Sequence, residues 1–168
     1  MKKLAFLCVA FILVLTSCSY EAGVSEAFTK YRFREGVVTV SVPGWAIHLA
    51  AGLADLDETE RELLESIDKV KVIAVDDDEL NRHIDLHEEF YQRIHDRKEY
   101  EELLVVREDN ESVTIFGIIN DENVIREMLI LVGGDDNALV YIKGEIRPEI
   151  LNDKIDLTNP DRFLSLNF

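Results

Sequence analysis

Two histidines and a run of acids are the side chains whose types and spacing could do chemistry in this chain. His83 and His87 stand four residues apart, so on a helix they share one face and can hold a zinc ion. Asp76, Asp77, Asp78 and Glu79 lie just ahead of them and offer the hard oxygens that bind calcium. Neither pattern completes itself. In His83-Ile84-Asp85-Leu86-His87, Ile84 occupies the place where the zinc-protease motif carries its glutamate, and no other element supplies an evident third ligand. The acids lack the Asp-x-Asp-x-Asp-Gly loop that wraps a calcium ion. Carboxylates ahead of a helix complement its macrodipole, which accounts for them without a ligand. His48, alone among Leu and Ala, reads as a packed residue. Gly133-Gly134-Asp135-Asp136 is too short and too acidic for a phosphate cradle, and the chain has no Gly-x-Ser-x-Gly. The expectation is no catalytic residue, no cofactor and no metal, with His83, His87, Asp76, Asp77 and Asp78 as the candidate ligands if a metal binds.

One further side chain stands out by its setting. Lys2 and Lys3 precede twelve apolar residues, 4 to 15, then the small Thr16 and Ser17, then Cys18. A membrane-spanning helix needs about 20 apolar residues, whereas a signal peptide needs about 7–15. Leu15-Thr16-Ser17-Cys18 resembles the lipobox of bacterial lipoprotein signal peptides. The resemblance implies that the Cys18 thiol takes a diacylglycerol thioether, that residues 1–17 are removed, and that the new amino group is acylated. More than one chain is needed physically, because each buried CH₂ contributes only about 0.8 kcal/mol and a single chain anchors marginally. The expected organisation is a signal peptide over 1–17, a tether over 18–24 and a single domain over 25–168. In some Bacteroidetes-type lipoproteins an acidic run after the cysteine directs the protein to the outer surface. Here residues 19–23 carry only Glu21, so the expected place is the outer membrane of a bacterial cell envelope, facing the periplasm.

Removing residues 1–17 takes Lys plus Arg from 18 to 16 against 34 acids, so the formal charge moves from −16 to −18. Nucleic acid is therefore excluded as a partner by simple repulsion. Cys8 would leave with the signal and Cys18 would be acylated, so neither cysteine remains for a disulfide.

The elements that must position these residues follow from periodicity. Val24, Phe28 and Tyr31 are spaced for an amphipathic helix over 25–34, with Ser25 as a cap and Gly36 as its end. Val37 to Val42 alternates as a strand, stopped by Pro43-Gly44. Trp45 to Leu56 is apolar nearly all round, which predicts a buried helix. Asp57 and Glu60 have capping-box spacing ahead of Leu63, Leu64 and Ile67. Val70 to Val75 is a second strand. The stripe Leu80, Ile84, His87, Tyr91 and Ile94 predicts one long helix from Leu80 to His95. From Leu103 onward the pattern alternates, with turns at Asp109-Asn110, Asn120–Asn123 and Gly133–Asn137, so a meander of hairpins is expected up to Ile146, with a last helical turn at Pro148–Asn152.

This order, closing on Ile142-Lys143-Gly144-Glu145-Ile146, resembles the Bacteroidetes envelope family called domain of unknown function DUF4252 over about Phe28 to Leu151. The resemblance implies localisation and overall shape, and no functional residue. The expected fold class is α+β: a two-layer sandwich with a mixed, mostly antiparallel sheet of about six strands and helices largely on one face. The expected function is a lipid-anchored, non-catalytic binding or interaction module in envelope signalling or maintenance. Its partners would be the membrane, through the lipid on Cys18, and an envelope protein or peptide met by an exposed sheet face or edge. The alternative is a small metal-dependent hydrolase using His83, His87 and the acids at 76–79.

Overall fold

The computed structural model describes residues 24–108 and 110–154. The expected signal peptide over 1–17, Cys18, the expected tether up to Gly23, Asp109 and the tail from 155 lie outside them. The described residues run α1 (Val24–Tyr31), β1 (Val37–Pro43), α2 (Gly44–Leu53), α3 (Glu58–Glu65), β2 (Ile67–Val75), α4 (Asp78–Asn81), α5 (Leu86–His95), β3 (Glu101–Glu108), β4 (Glu111–Ile119), β5 (Ile125–Gly134), β6 (Ala138–Ile146) and α6 (Pro148–Lys154). The six strands form one sheet in the order β1-β2-β6-β5-β4-β3, making an α+β sandwich.

All five strand pairs are antiparallel, so the parallel component of the expected mixed sheet is not made among the described residues. The reason is that α2 and α3 carry the chain out and back at one end of the sheet. Pro43 at the end of β1 sits opposite Lys69 near the start of β2. An excursion that begins and ends at one edge reverses the strand instead of crossing over.

Side chains alternate between the two sheet faces. On the first face, Ile73, Phe116, Leu129, Leu131, Leu139 and Tyr141 close against Val24, Ala27 and Tyr31 of α1 and Leu86, Phe90 and Ile94 of α5. Each of the large aliphatic and phenylalanine side chains among them, fully buried, contributes about 1.5–3 kcal/mol. On the second face, Ile67, Leu104, Val106, Val113, Ile115 and Met128 form another cluster with Leu151 of α6, joined by half-buried Ile47 of α2 and Leu63 and Leu64 of α3. Helices therefore pack on both faces, three on each, and not largely on one.

The predicted long helix over 80–95 is two helices. Asp85 adopts an extended backbone, φ −127° and ψ 102°, and its carboxylate accepts the Glu88 N–H at 2.8 Å, starting α5 afresh. The buried Asn137 amide oxygen takes the Leu86 N–H at 2.7 Å. These side-chain acceptors satisfy two first-turn amides of α5, those of Leu86 and Glu88, that a continuous helix would have bonded to the carbonyls of Arg82 and Ile84. Gly133 completes the junction, because a Cβ there would lie 2.6 Å from the His87 Cβ and closer still to the Asp85 carboxylate. Only glycine lets α5 sit this near β5.

The predicted buried helix over 45–56 is α2, shorter and largely exposed. Gly44 and Ala51 are its buried residues, while Trp45, Leu49 and Leu53 are 71%, 58% and 81% exposed. By contrast the capping box of α3 forms as expected, the Asp57 carboxylate accepting the Glu60 N–H at 2.8 Å and the Glu60 carboxylate the Asp57 N–H at 3.1 Å.

Candidate functional site

The sequence-predicted ligands do not converge. Asp76 follows β2 and donates its backbone N–H to the Gly36 carbonyl. Asp77 caps α4, its carboxylate accepting the Leu80 N–H at 2.7 Å. Asp78 and Glu79 are exposed in the first turn of α4, where they complement the macrodipole. His83 lies in the turn after α4, exposed, and so shares no helix face with His87. Among the described residues no group of three or more His, Cys, Asp or Glu side chains is arranged to hold a metal ion. Cys18 lies outside the described residues.

His87 is committed elsewhere. It is buried, its Nε2 is 2.8 Å from the Thr114 hydroxyl, and its ring stacks on Tyr91 at 5.2 Å. Burial pushes its pKa below the ordinary 6.5; Asp85 and Glu102 pull it back in part and Arg107 pushes it further down. Acidification therefore protonates this histidine in the unfolded chain first. Unfolding stability carried by neutral His87 is complete above pH 6.5 and declines below it, towards the depressed folded value. Urea titrations between about pH 5 and pH 7 should show a steeper loss in the wild type than in His87→Gln. Equal slopes would mean that His87 does not titrate differently in the two states.

A groove that no sequence motif flagged lies between α1 and the β1–β2 edge of the first face. Its volume is about 560 Å³. Phe28, Arg32 and Phe33 form its helical wall with the hydroxyls of Ser25 and Thr29; Thr39, Ser41 and Lys71 form its floor. The Lys71 ammonium lies 5.4 Å from the Phe28 ring centre and 5.7 Å from that of Tyr141, a cation held over aromatic faces. No Asp or Glu is among the described lining residues, in a chain of formal charge −16. The Thr39 hydroxyl oxygen is buried and makes no hydrogen bond with the described residues. An unsatisfied buried hydroxyl costs about 1–3 kcal/mol, which a ligand group in the groove would recover. The groove's described lining is hydroxyls, aromatic rings and the two cations Arg32 and Lys71.

The groove opens on the free edge of β1. Asp76 N–H donates to Gly36 carbonyl at 2.9 Å, and the register continues through Val38↔Ala74, Val40↔Val72 and Val42↔Val70. In an antiparallel ladder, directly bonded pairs alternate with unbonded ones. Val38, Val40 and Val42 therefore bond to β2, while Thr39 and Ser41 turn their N–H and C=O groups outward. The two sheet edges are treated very differently. β3 carries Glu101, Glu102, Arg107 and Glu108 and a bulge between Glu102 and Leu104, the devices that keep strands from adding. β1 reads Val-Val-Thr-Val-Ser-Val-Pro, with no charge and no bulge. Among the described residues its only guard is the terminal Pro43.

The sequence matches the family described as domain of unknown function (DUF4252) over residues 31–153, from the last residue of α1 into α6. No curated protein and no solved structure matches the chain.

Proposed function

Because this chain belongs to the DUF4252 family, whose description assigns no activity, its role must be argued from its own surface, and we propose that it is a lipid-anchored, non-catalytic binding module of the bacterial cell envelope. The acyl groups on Cys18 hold it to the outer membrane, facing the periplasm. It receives an extended, acidic segment of an envelope protein as an added strand along β1. The bare β1 edge carries this reading, because main-chain donors and acceptors at Thr39 and Ser41 give a peptide affinity without demanding its sequence. Arg32 and Lys71 in the adjoining groove supply the preference for acidic side chains.

Two arms of one experiment test the anchor and the edge. Cys18→Ala should move the protein from the membrane fraction to the soluble one; pelleting unchanged removes the anchor from the proposal. In the membrane-bound protein, a photoreactive residue in place of Ser41 should crosslink a discrete protein in cells. The same residue in place of Val105, 38% exposed on the guarded strand β3, should not. Equal capture from both positions would refute binding at β1.

A further inference from the structure

Strand β1 is close to a palindrome. About Val40 the hydroxyl residues Thr39 and Ser41 stand symmetrically, then Val38 and Val42, then Val37 and Pro43. Its main chain repeats the symmetry. Thr39 and Ser41 turn their N–H and C=O groups outward, while the outward positions beyond them offer no donor: the Val37 N–H is taken by the Arg34 carbonyl at 3.3 Å, and Pro43 has none. The outward donors of β1 are therefore those of Thr39 and Ser41, with Val40 midway.

A surface that reads alike from both ends is complementary to itself when turned round. Laid antiparallel about a two-fold axis through Val40, β1 of a second copy sets its Ser41 opposite Thr39 and its Thr39 opposite Ser41. Each of these pairs exchanges two main-chain hydrogen bonds, which uses every outward donor of both strands. The donorless Val37 and Pro43 fall opposite one another. Moving the axis to Thr39 would set Val42 opposite Gly36, and moving it to Ser41 would set Val38 opposite Gly44. Only the axis at Val40 brings Val38, Val40 and Val42 of one strand against the same valines of the other.

Both faces of the sheet are served by this register. Val42 pairs with Val70 of the second-face cluster, so Val38, Val40 and Val42 lie on that face, where Val38 and Val40 are 46% and 43% exposed. The copy's Val42 and Val40 would cover them. On the first face the buried Thr39 hydroxyl oxygen, which makes no hydrogen bond with the described residues, meets the copy's Ser41 hydroxyl. β1 carries no charge, so two chains of formal charge −16 join here without setting carboxylates against each other across the paired strands.

We infer that this edge is fitted to a second copy of the chain, β1 against β1 about a two-fold axis at Val40, joining two six-stranded sheets into one. The pair uses the edge that the proposed function gives to a peptide, but it does not rest on the peptide. An incoming strand must displace the copy, so the pair closes the edge while the site is empty.

Only a residue on the axis meets itself, which makes a single cysteine diagnostic. In a non-hydrogen-bonded pair the Cα atoms are about 4.5 Å apart, within disulfide range. Membrane-bound protein processed in cells would be oxidised and run without reductant, the wild type giving the background from Cys8 and Cys18. Val40→Cys should shift from the mass of one chain to that of two. Val38→Cys, on the same face and no less exposed, should not, because its counterpart lies about 14 Å away along the strands. A shift at both positions, or at neither, overturns the inference. Wild type released by detergent should sediment as two chains and Ser41→Pro as one; a wild type that sediments as one chain overturns the inference as well. The photoreactive residue at position 41 separates the two readings by mass. Capture of a different protein, with no shift at Val40→Cys, removes the pair and leaves the proposed function standing; capture of this chain alone removes the peptide and leaves the pair.

Discussion

Phe90→Ala is expected to remove about 3–5 kcal/mol of stability, the cost of truncating a fully buried phenylalanine on the first face. Phe90 is fully buried, meets Tyr31 edge-on with ring centres 6.3 Å apart, and sits where α1, α5 and the sheet converge. Its loss leaves a cavity that none of the three can close alone, because α5 is held at both ends. Asp85 and Asn137 fix its start; near its end, Arg93 bonds Glu26 of α1 at 2.6 Å. A domain of this size has about 5–15 kcal/mol in total, so the variant should unfold on the order of 10 °C lower. Phe90→Leu refills most of the volume and should recover most of the loss. If urea unfolding puts Phe90→Ala within about 1 kcal/mol of wild type, α5 is not the lock of this face.

The elements legible in the sequence are those whose signals are local. Alternation with Asp109-Asn110 and Asn120–Asn123 between the runs specifies hairpins, and these form where expected. Asp57 and Glu60 specify a capping box, and it forms. Helices α4 and α5 show the limit. Leu80, Ile84, His87, Tyr91 and Ile94 keep helical spacing across the break, so periodicity alone joins them. The contrary signal was present: Asp85 followed by Glu88 and Glu89 is the composition of a helix start. It was outweighed because its decisive partner, Asn137, lies 51 positions further on.

The reading of α2 failed for a different reason. An all-apolar helix predicts burial only if the fold provides enough surface to bury it. α2 and α3 sit at one end of the second face, where α2 finds room for Gly44, Ile47 and Ala51 and no more. The candidate site was half legible in the same sense. That β1 carries no charge is plain in Val-Val-Thr-Val-Ser-Val-Pro. That it is an edge follows only from the strand order, which pairs β2 with β6 across more than sixty intervening residues and leaves β1 a single neighbour. The basic and aromatic run Tyr31-Arg32-Phe33-Arg34 was the one hint of the groove wall in an otherwise acidic chain.

Two prolines one residue apart should separate binding from folding at β1. Ser41→Pro deletes an outward N–H and sets a ring against any incoming strand, yet it spares the ladder with β2, and edge strands tolerate proline there. Val40→Pro deletes an N–H that the ladder uses, opposite Val72, and should destabilise the domain whether or not a partner is present. With a photoreactive residue in place of Phe33, 89% exposed on the groove wall, Ser41→Pro should cut capture on the order of tenfold at near wild-type stability. One lost hydrogen bond is worth about 1 kcal/mol net, and obstruction by the ring supplies the remainder. Arg32→Glu, which leaves the edge intact and reverses the groove charge, should weaken capture as well, and its effect should shrink as salt is raised. If Ser41→Pro captures as well as wild type while Arg32→Glu does not, the partner is held by the groove alone and strand addition is wrong. If neither variant matters, the bare edge of β1 is not where this protein meets its partner.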